Sequence, residues 1–86
     1  MFEYDPVKSE YNKNKHEIDF NKATQLWNDP NRIIIQARTT GEPRLLLIAK
    51  LVNVHWSAIY TLRKDKIRII SVRKSRKNER EIYNRF

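Results

Sequence analysis

Apolar and polar residues alternate with a period of two over residues 56–73, which predicts two β-strands. The first strand is predicted to present Ser57, Ile59, Thr61 and Arg63 on one face and Trp56, Ala58, Tyr60 and Leu62 on the other. The second is predicted to present Ile67, Ile69, Ser71 and Arg73 opposite Arg68, Ile70 and Val72. The charged segment Lys64-Asp65-Lys66 suits a short hairpin loop between them. Because burying an unpaired arginine is costly, the arginines are expected at the rim or on an open face of the sheet.

Two further apolar runs predict the rest of the sheet. Residues 33–37 form a β-branched run, and residues 45–52 form a near-continuous apolar run of the kind found at a sheet centre. The only glycine, Gly41, falls in a predicted loop at residues 39–43. Short connections between neighbouring strands favour an antiparallel meander, so we predict a four-stranded antiparallel sheet.

Helical spacing predicts two helices before the sheet. Asp5 and Pro6 suit the N-cap and first turn of a helix that runs to about residue 15. One face of this helix is predicted to carry Val7, Tyr11 and Asn14, and because this face is only weakly apolar, a surface helix is favoured over a core helix. Asp19 suits the N-cap of a second helix, in which Phe20 and Trp27 are the expected core anchors.

The last segment, residues 75–86, predicts a basic helix. Ser75 suits its N-cap, and Ile82 and Phe86 lie four residues apart beside Glu79 and Tyr83, so this face can dock onto the sheet. The predicted fold class is therefore α+β, with N-terminal helices, a four-stranded twisted antiparallel sheet and a C-terminal basic helix.

Length and composition limit the classes of protein to which the chain can belong. Its 86 residues make one small domain, residues 1–86. The sequence has no cysteine, which excludes disulfides and thiolate metal sites and fits a reducing compartment. No apolar run is long enough to span a bilayer, and the acidic N-terminus lacks the apolar core of a signal peptide. A cytoplasmic protein that does not contact membranes is expected.

The positive charge is concentrated in the last third of the chain. The formal net charge is +8, and residues 61–86 contain 10 Lys and Arg against 3 Asp and Glu, whereas residues 1–60 contain 8 against 7. Such a focused field attracts phosphates or an acidic partner. The alternative is a solvated basic surface that aids solubility, but most of these charges are arginines inside or beside predicted elements.

The sequence offers few routes to catalysis other than phosphate chemistry. His16 and His55 lie far apart without paired metal ligands, and a single glycine excludes a glycine-rich phosphate loop. In RNA, a 2′-hydroxyl can attack its neighbouring phosphodiester if the site positions it, stabilises charge and moves protons. Arginine suits the stabilising role, and histidine or a lysine of lowered pKa suits proton transfer.

Several of these residues have an alternative structural role. His16 beside Lys15 is also typical of a solvated helix end, and Tyr60 of a half-buried strand aromatic. Glu79 can pair with Arg76 or Lys77, or lie near the helix N-terminus. Arg73 has a structural alternative too, as a buried partner of Glu79.

Short motifs spread over nearly the whole chain resemble those of one family. They are Phe2-Glu3-Tyr4-Asp5-Pro6 with Lys8, Asn12, Lys15-His16, Phe20, Ala23, Asp29-Pro30, Gly41-Glu42 with Arg44, Tyr60-Thr61 with Arg63, Arg68-Ile69-Ile70-Ser71 with Arg73, and Glu79-Arg80 with Tyr83. Their order and spacing together are specific. In these motifs the chain resembles BrnT, a toxin of type II toxin–antitoxin modules within the wider RelE-like ribonuclease group.

The resemblance implies both an activity and a partner. It implies an RNA-cleaving toxin that arrests translation, within a small RelE-like α+β fold. It also implies neutralisation by a BrnA-type antitoxin that has a ribbon-helix-helix DNA-binding part. DNA would then be bound only through the toxin–antitoxin complex, which represses its own promoter.

With this resemblance, we expect a metal-independent endoribonuclease that acts on messenger RNA without a cofactor. Arg63 and Arg73 are expected to act as phosphate and transition-state clamps. Because Arg63 lies at the loop end of its strand and Arg73 at the far end of the next, they are expected to face different parts of one substrate rather than one phosphate. Lys15 and His16 are expected to transfer protons or stabilise the oxyanion, and Tyr83 to help in positioning. We expect the RNA backbone to be guided by Arg68, Lys74, Arg76 and Arg80.

One departure from the family pattern bears on activity. The family usually has glycine after the Lys-His pair, where this chain has Glu17, and an acid there partly offsets the positive field. A second hypothesis is a binding protein without catalysis. Its basic face would hold an acidic antitoxin or nucleic acid, or the protein would act as a co-repressor.

Overall fold

The structure is a computed structural model that describes residues 1–37 and 40–86. In chain order it contains β1 (Phe2–Glu3), α1 (Pro6–His16), α2 (Phe20–Ala23), a 3-10 helix (Thr24–Asn28), β2 (Ile33–Ala37), β3 (Arg44–Leu51), β4 (Val54–Arg63), β5 (Lys66–Lys74) and α3 (Lys77–Arg85). The predicted α+β class and C-terminal helix are confirmed. Of the predicted loop at residues 39–43, Thr39 lies outside the described residues.

The sheet has five strands in the order β1-β5-β4-β3-β2, so the prediction of four antiparallel strands is wrong. Strands β2 to β5 form the expected antiparallel meander. Strand β1 adds a parallel edge, pairing Phe2 with Ile67 and Glu3 with Arg68. A strand of two residues is too short to show a hydrophobic period, which is why the sequence pattern did not predict it.

A β-bulge changes which residues of β5 share a face. Ile59 pairs with Ser71 and Tyr60 with Ile69, so Ile70 is an extra residue in β5. Alternation shifts by one position at a bulge. The prediction that Ile69 and Arg73 share a face is therefore wrong, because Ile69 lies in the core while Arg73 pairs with Ser57 on the opposite face.

The core lies between the sheet and the N-terminal helical segments. It comprises Ile18, Phe20, Ala23, Leu26, Leu47, Ala49, Trp56, Ala58, Tyr60, Ile69 and Val72. Asp19 caps α2 as predicted, since its side chain accepts the Lys22 N–H. The second predicted helix continues beyond α2 only as the 3-10 helix. Trp27 is half-buried and packs edge to face against Phe2 and Tyr60.

Helix α1 docks through polar rather than apolar side chains. It starts at the Asp5 N-cap as predicted, and Val7 and Tyr11 are 77% and 64% exposed, as expected for a surface helix with a weakly apolar face. The buried side chains of α1 are Ser9 and Asn12. Asn12 donates to the carbonyl oxygens of Ile18 (2.8 Å) and Val72 (2.9 Å) and accepts the Val72 N–H (3.2 Å).

The Asn12 contacts are possible because β1 pairs only with the first part of β5. Beyond Arg68, β5 is an edge strand, whose backbone N–H and C=O groups need partners. Asn12 supplies both at Val72 and thereby holds the C-terminal half of α1 against the end of β5.

Helix α3 packs on the other face of the sheet through Glu79 and Tyr83, while Phe86 is 83% exposed. The N-cap is Arg76 rather than Ser75, and the Glu79 carboxylate accepts the Arg76 N–H at 2.8 Å. Ser75 is instead buried, with its hydroxyl 2.7 Å from that of Ser57. Within residues 1–37 and 40–86, no helix has the length and apolar character that a membrane span requires.

Candidate active site

The C-terminus of α1, the end of β5 and the start of α3 meet at a cleft of about 280 Å³. We call it the cationic cleft and define it by Lys15, His16, Glu17, Arg73, Lys74 and Arg76. It brings together two residues predicted for proton transfer, one predicted phosphate clamp and two predicted backbone guides. Its lining carries four Lys and Arg against one carboxylate.

The end of α1 presents Lys15 and His16 at one side of this cleft. Lys15 is exposed, with its ammonium 5.8 Å from the centroid of the Tyr11 ring, and His16 is half-buried. Basic residues in the last turn also suit the partial negative charge of a helix C-terminus. The helix ends at Glu17, whose N–H donates to the carbonyl of Lys13 at 2.9 Å.

Glu17 closes the helix in the left-handed region, with φ of 70°. Glycine adopts this conformation at a helix end without a steric penalty, whereas other residues are strained there. This geometry explains why glycine suits the position that Glu17 fills. The exposed Glu17 carboxylate lies 3.9 Å from the ammonium of Lys74, a contact that contributes little in water.

Arg73 forms a bidentate ion pair with Glu79. Its Nη1 and Nη2 donate to Oε1 and Oε2 of Glu79 at 2.7 and 2.8 Å. Glu79 is 6% exposed and also accepts the Ser57 hydroxyl (2.9 Å) and the Arg76 N–H (2.8 Å). The Arg73 hydrogen bonds, aided by the other two donors, overcome the effect of burial and lower the pKa of Glu79 from 4.5 to about 2.

The ion pair restricts what Arg73 can do in the cleft. Three of its N–H groups contact protein, two at Glu79 and one more weakly at the Lys74 carbonyl (3.4 Å). A guanidinium has five N–H donors, so the others remain for a ligand. Arg73 is thus held rigidly at the cleft, with much of its charge balanced by Glu79.

Two cations of the cleft are less compensated. Within the part of the chain that the structure describes, no carboxylate lies within salt-bridge distance of Lys15 or Arg76. Both side chains are exposed. An anion entering the cleft would therefore meet these two charges first.

A second depression, of about 240 Å³, continues the cleft along α1 and shares Lys15 and His16 with it. Its other lining residues are Lys8, Tyr11, Asn12, Phe20, Ile70 and Ser71. The two depressions therefore adjoin each other at the end of α1.

The structure does not bring Arg63 and Arg68 to this cleft. Arg63 donates to Glu42 at 3.1 Å and lines a separate depression with Lys64 and Lys66. Arg68 donates to Glu3 at 3.2 Å. Arg73 pairs with Ser57, and the six residue steps from there to Arg63 span about 20 Å of strand. The two predicted clamps therefore cannot hold one phosphate.

Tyr83 and Arg80 also lie outside the lining of the cleft. The Tyr83 hydroxyl donates to Asp29 at 2.6 Å, and burial together with this bond raises the pKa of Tyr83 to about 12. Its ring packs edge to face against His55 at 5.0 Å. Arg80 donates to the Ser75 carbonyl at 2.8 Å. Tyr83 thus fixes α3 to Asp29, whereas Arg80 contacts the residue that precedes the N-cap of its own helix.

Two residues near the site were not among the predicted site residues. Glu79 lies near the helix N-terminus as expected, and of the partners considered for it the structure gives Arg73 rather than Arg76 or Lys77. Asn12 belonged to the family motifs, without a stated role. Asn12 could have been recognised as a buried contact, because it is a polar residue within a helix that has few apolar residues to bury.

A family model described as the ribonuclease toxin BrnT of a type II toxin–antitoxin system matches residues 4–79. The chain belongs to the BrnT family. Membership identifies the protein as a toxin of this class and implies an RNA substrate and a protein antitoxin as partner. No curated protein matches the chain significantly. Among the described residues, no group of three His, Asp or Glu side chains is placed to hold a metal ion.

Proposed function

We propose that this toxin is a metal-independent endoribonuclease that cleaves messenger RNA in the cytoplasm and arrests translation, with the cationic cleft as its active centre. The observation that carries this proposal is the convergence of Lys15 and His16 with Arg73 in one basic cleft. Family membership supports the reaction class, and the geometry supports the place.

The reaction is an internal transesterification of RNA. The 2′-oxygen forms a bond to the neighbouring phosphorus and the bond to the 5′-oxygen breaks. A proton leaves the 2′-hydroxyl and another reaches the 5′-oxygen, so the products are a 2′,3′-cyclic phosphate and a 5′-hydroxyl end. Positioning, charge stabilisation and proton transfer are the three tasks of the protein.

The cleft offers a group for each task. His16, next to the cationic rim, is proposed to transfer protons. Lys15 and Arg76 are proposed to stabilise the charge on the phosphoryl oxygens, because they are exposed in the cleft. Arg73 is proposed to orient the phosphate with the donors that Glu79 leaves available.

The remaining basic residues are proposed to act on the RNA backbone away from the reacting phosphate. Lys74 is nearest, in the cleft itself, and Arg63, Arg68 and Arg80 lie further along the surface. The proposed antitoxin is BrnA-like, with a ribbon-helix-helix part that brings the complex to DNA.

One observation favours the alternative, a non-catalytic co-repressor. Glu17 places a carboxylate in the cleft, and Glu79 occupies much of the Arg73 guanidinium. Both reduce the charge available to a transition state. A protein that is not toxic, yet strengthens promoter binding by its antitoxin, would support this function.

The test uses antitoxin-free protein, RNA and EDTA. We expect cleavage to products with 5′-hydroxyl ends, and His16→Asn to lower the single-turnover rate roughly a hundredfold or more. Lys13→Met is the matched control, since Lys13 is an exposed lysine of the same helix that does not line the cleft. Circular dichroism confirms that each variant is folded.

Two results would count against the proposal. If the RNA stays intact and expression of the protein does not arrest growth, the proposed enzymatic function is wrong. If the wild-type protein cleaves RNA and His16→Asn cleaves it at the same rate, the cationic cleft is not the active site.

A further inference from the structure

An apolar pocket of about 260 Å³ adjoins the cationic cleft, and Glu17 lines both. The other residues of the pocket are Ile18, Lys22, Leu51, Val52, Val54 and Trp56. It lies where the turn between β3 and β4 approaches the junction of α1 and α2. A chain that crosses the cleft can therefore reach the pocket.

The most exposed apolar side chain of this pocket is Val52, at 81%. Val52 and Asn53 form the turn between β3 and β4, with φ of 48° and 65°. Asparagine tolerates this left-handed region, but a β-branched residue there is a genuine outlier, at a cost of roughly 1–2 kcal/mol. The fold gains neither burial nor a relaxed backbone from this valine, which suggests a role outside the fold.

The chemistry of the pocket favours a polypeptide over a nucleobase. Bases bind without pairing partners by stacking on exposed aromatic rings, and Trp56, the aromatic residue of this pocket, is only 7% exposed. The pocket instead presents aliphatic side chains, and Lys22 also lines it. The neighbouring cleft adds Lys15, Lys74 and Arg76. An occupant that matches both parts carries aliphatic side chains next to acidic ones.

We propose that this pocket anchors an aliphatic side chain of the antitoxin, whose acidic residues lie across the cationic cleft and cover it. The inference rests on the proposed function, because it assigns to that same cleft its inhibitor. Val52 then buries its exposed surface in the complex, and the basic lining of the cleft meets opposite charge.

The experiment measures binding of one named probe, the fluorescein-labelled antitoxin polypeptide encoded beside the toxin gene, without RNA. Val52→Asn should weaken binding roughly 10- to 100-fold, as expected for one buried valine. Asparagine suits the turn, so the variant should be at least as stable as wild type. Val7→Asn is the matched control, because Val7 is 77% exposed on α1 and does not line the pocket.

A charge-reversed pair tests the acidic character of the partner. Lys22→Glu should weaken binding and reduce its dependence on salt, because Lys22 lies at the pocket. Lys66→Glu makes the same change in the separate depression that contains Arg63 and should have little effect.

The outcomes separate this inference from the proposed function. Unchanged antitoxin affinity in Val52→Asn would overturn the inference, whether or not the protein cleaves RNA. Reduced RNA cleavage with unchanged antitoxin affinity would assign the pocket to RNA and would also overturn it. If Val52→Asn weakens antitoxin binding and the protein has no ribonuclease activity, the pocket remains an antitoxin-binding site but the proposed enzymatic function is wrong.

Discussion

Replacing Glu79 with glutamine should destabilise the protein and remove a specific part of its acid sensitivity. Glu79 joins α3, β4 and β5 through Arg73, Ser57 and the Arg76 N–H. Its pKa is lowered from 4.5 to about 2, and this difference corresponds to about 3 kcal/mol of folding free energy at neutral pH. Glutamine has the shape of glutamate but no charge. Its NH2 group is a donor, as are the N–H groups of the Arg73 guanidinium, so one of the two Arg73 hydrogen bonds is lost.

The pH dependence follows from the direction of this shift. Because the folded state lowers the pKa of Glu79, the unfolded state binds more protons in the interval between the two values. The stabilisation is therefore complete above about pH 5 and is lost progressively as the pH falls towards 2. In Glu79→Gln this contribution is absent, so the difference in unfolding free energy between variant and wild type should shrink over that interval.

Urea denaturation followed by tryptophan fluorescence, at pH 7 and at steps down to pH 3, measures both effects. We expect Glu79→Gln to lose about 2–3 kcal/mol at pH 7. Glu81→Gln is the matched control, since Glu81 is exposed on the same helix and its replacement should stay within about 0.5 kcal/mol. A loss below 0.5 kcal/mol at pH 7, or a difference that does not change with pH, would refute the reasoning.

Two further predictions concern the charges around the cleft. Glu17→Gln and Glu17→Gly should both tighten RNA binding by removing a carboxylate from the cleft, but only the glycine variant should gain stability, by about 1 kcal/mol, because it relieves the left-handed backbone. Equal unfolding free energies for the two variants would contradict this account of the strain. Arg63→Gln should leave the single-turnover cleavage rate at saturating protein within about twofold, since Arg63 lies about 20 Å from Arg73 along the hairpin. A hundredfold loss in that assay would place the reacting phosphate at the other end of β4.

The elements that could be predicted from the sequence are those with a local signal. Apolar and β-branched runs indicated β2 and β3, and alternation indicated β4 and β5, each to within two residues at either end. Asp5 and Asp19 indicated the starts of α1 and α2. Phe20 was recognised as a core anchor because its spacing is helical and its side chain large. In each case the residues that carry the signal are neighbours in the chain.

The features that could not be predicted depend on partners distant in sequence. The bulge at Ile70 leaves no mark in the composition of β5, yet it decides that Arg73 faces Ser57 and Glu79 rather than the core. Asn12 docks α1 through Val72, sixty residues away, so a search for an apolar helix face selected Val7 and Tyr11 instead. The sequence predicted that lysine, histidine and arginine would form the site. Which of these residues meet in the cleft is decided by the bulge and by the Asn12 contacts.

The same network that fixes the fold also limits where proton transfer can occur. Glu79, with a pKa of about 2 and four hydrogen bonds from its neighbours, stays ionised at neutral pH and is a poor proton donor or acceptor there. Tyr83, buried with a pKa raised to about 12, keeps its proton on the bond to Asp29 and does not line the cleft. Arginine does not exchange protons in this range. Within the described lining of the cleft, these properties support the proposed assignment of proton transfer to His16, which lies beside Lys15 and Glu17 at the end of α1. Asn12 holds the end of α1, and with it His16, against β5 through its contacts to Val72, so the proposed chemistry would depend on a polar contact between one helix and one strand edge.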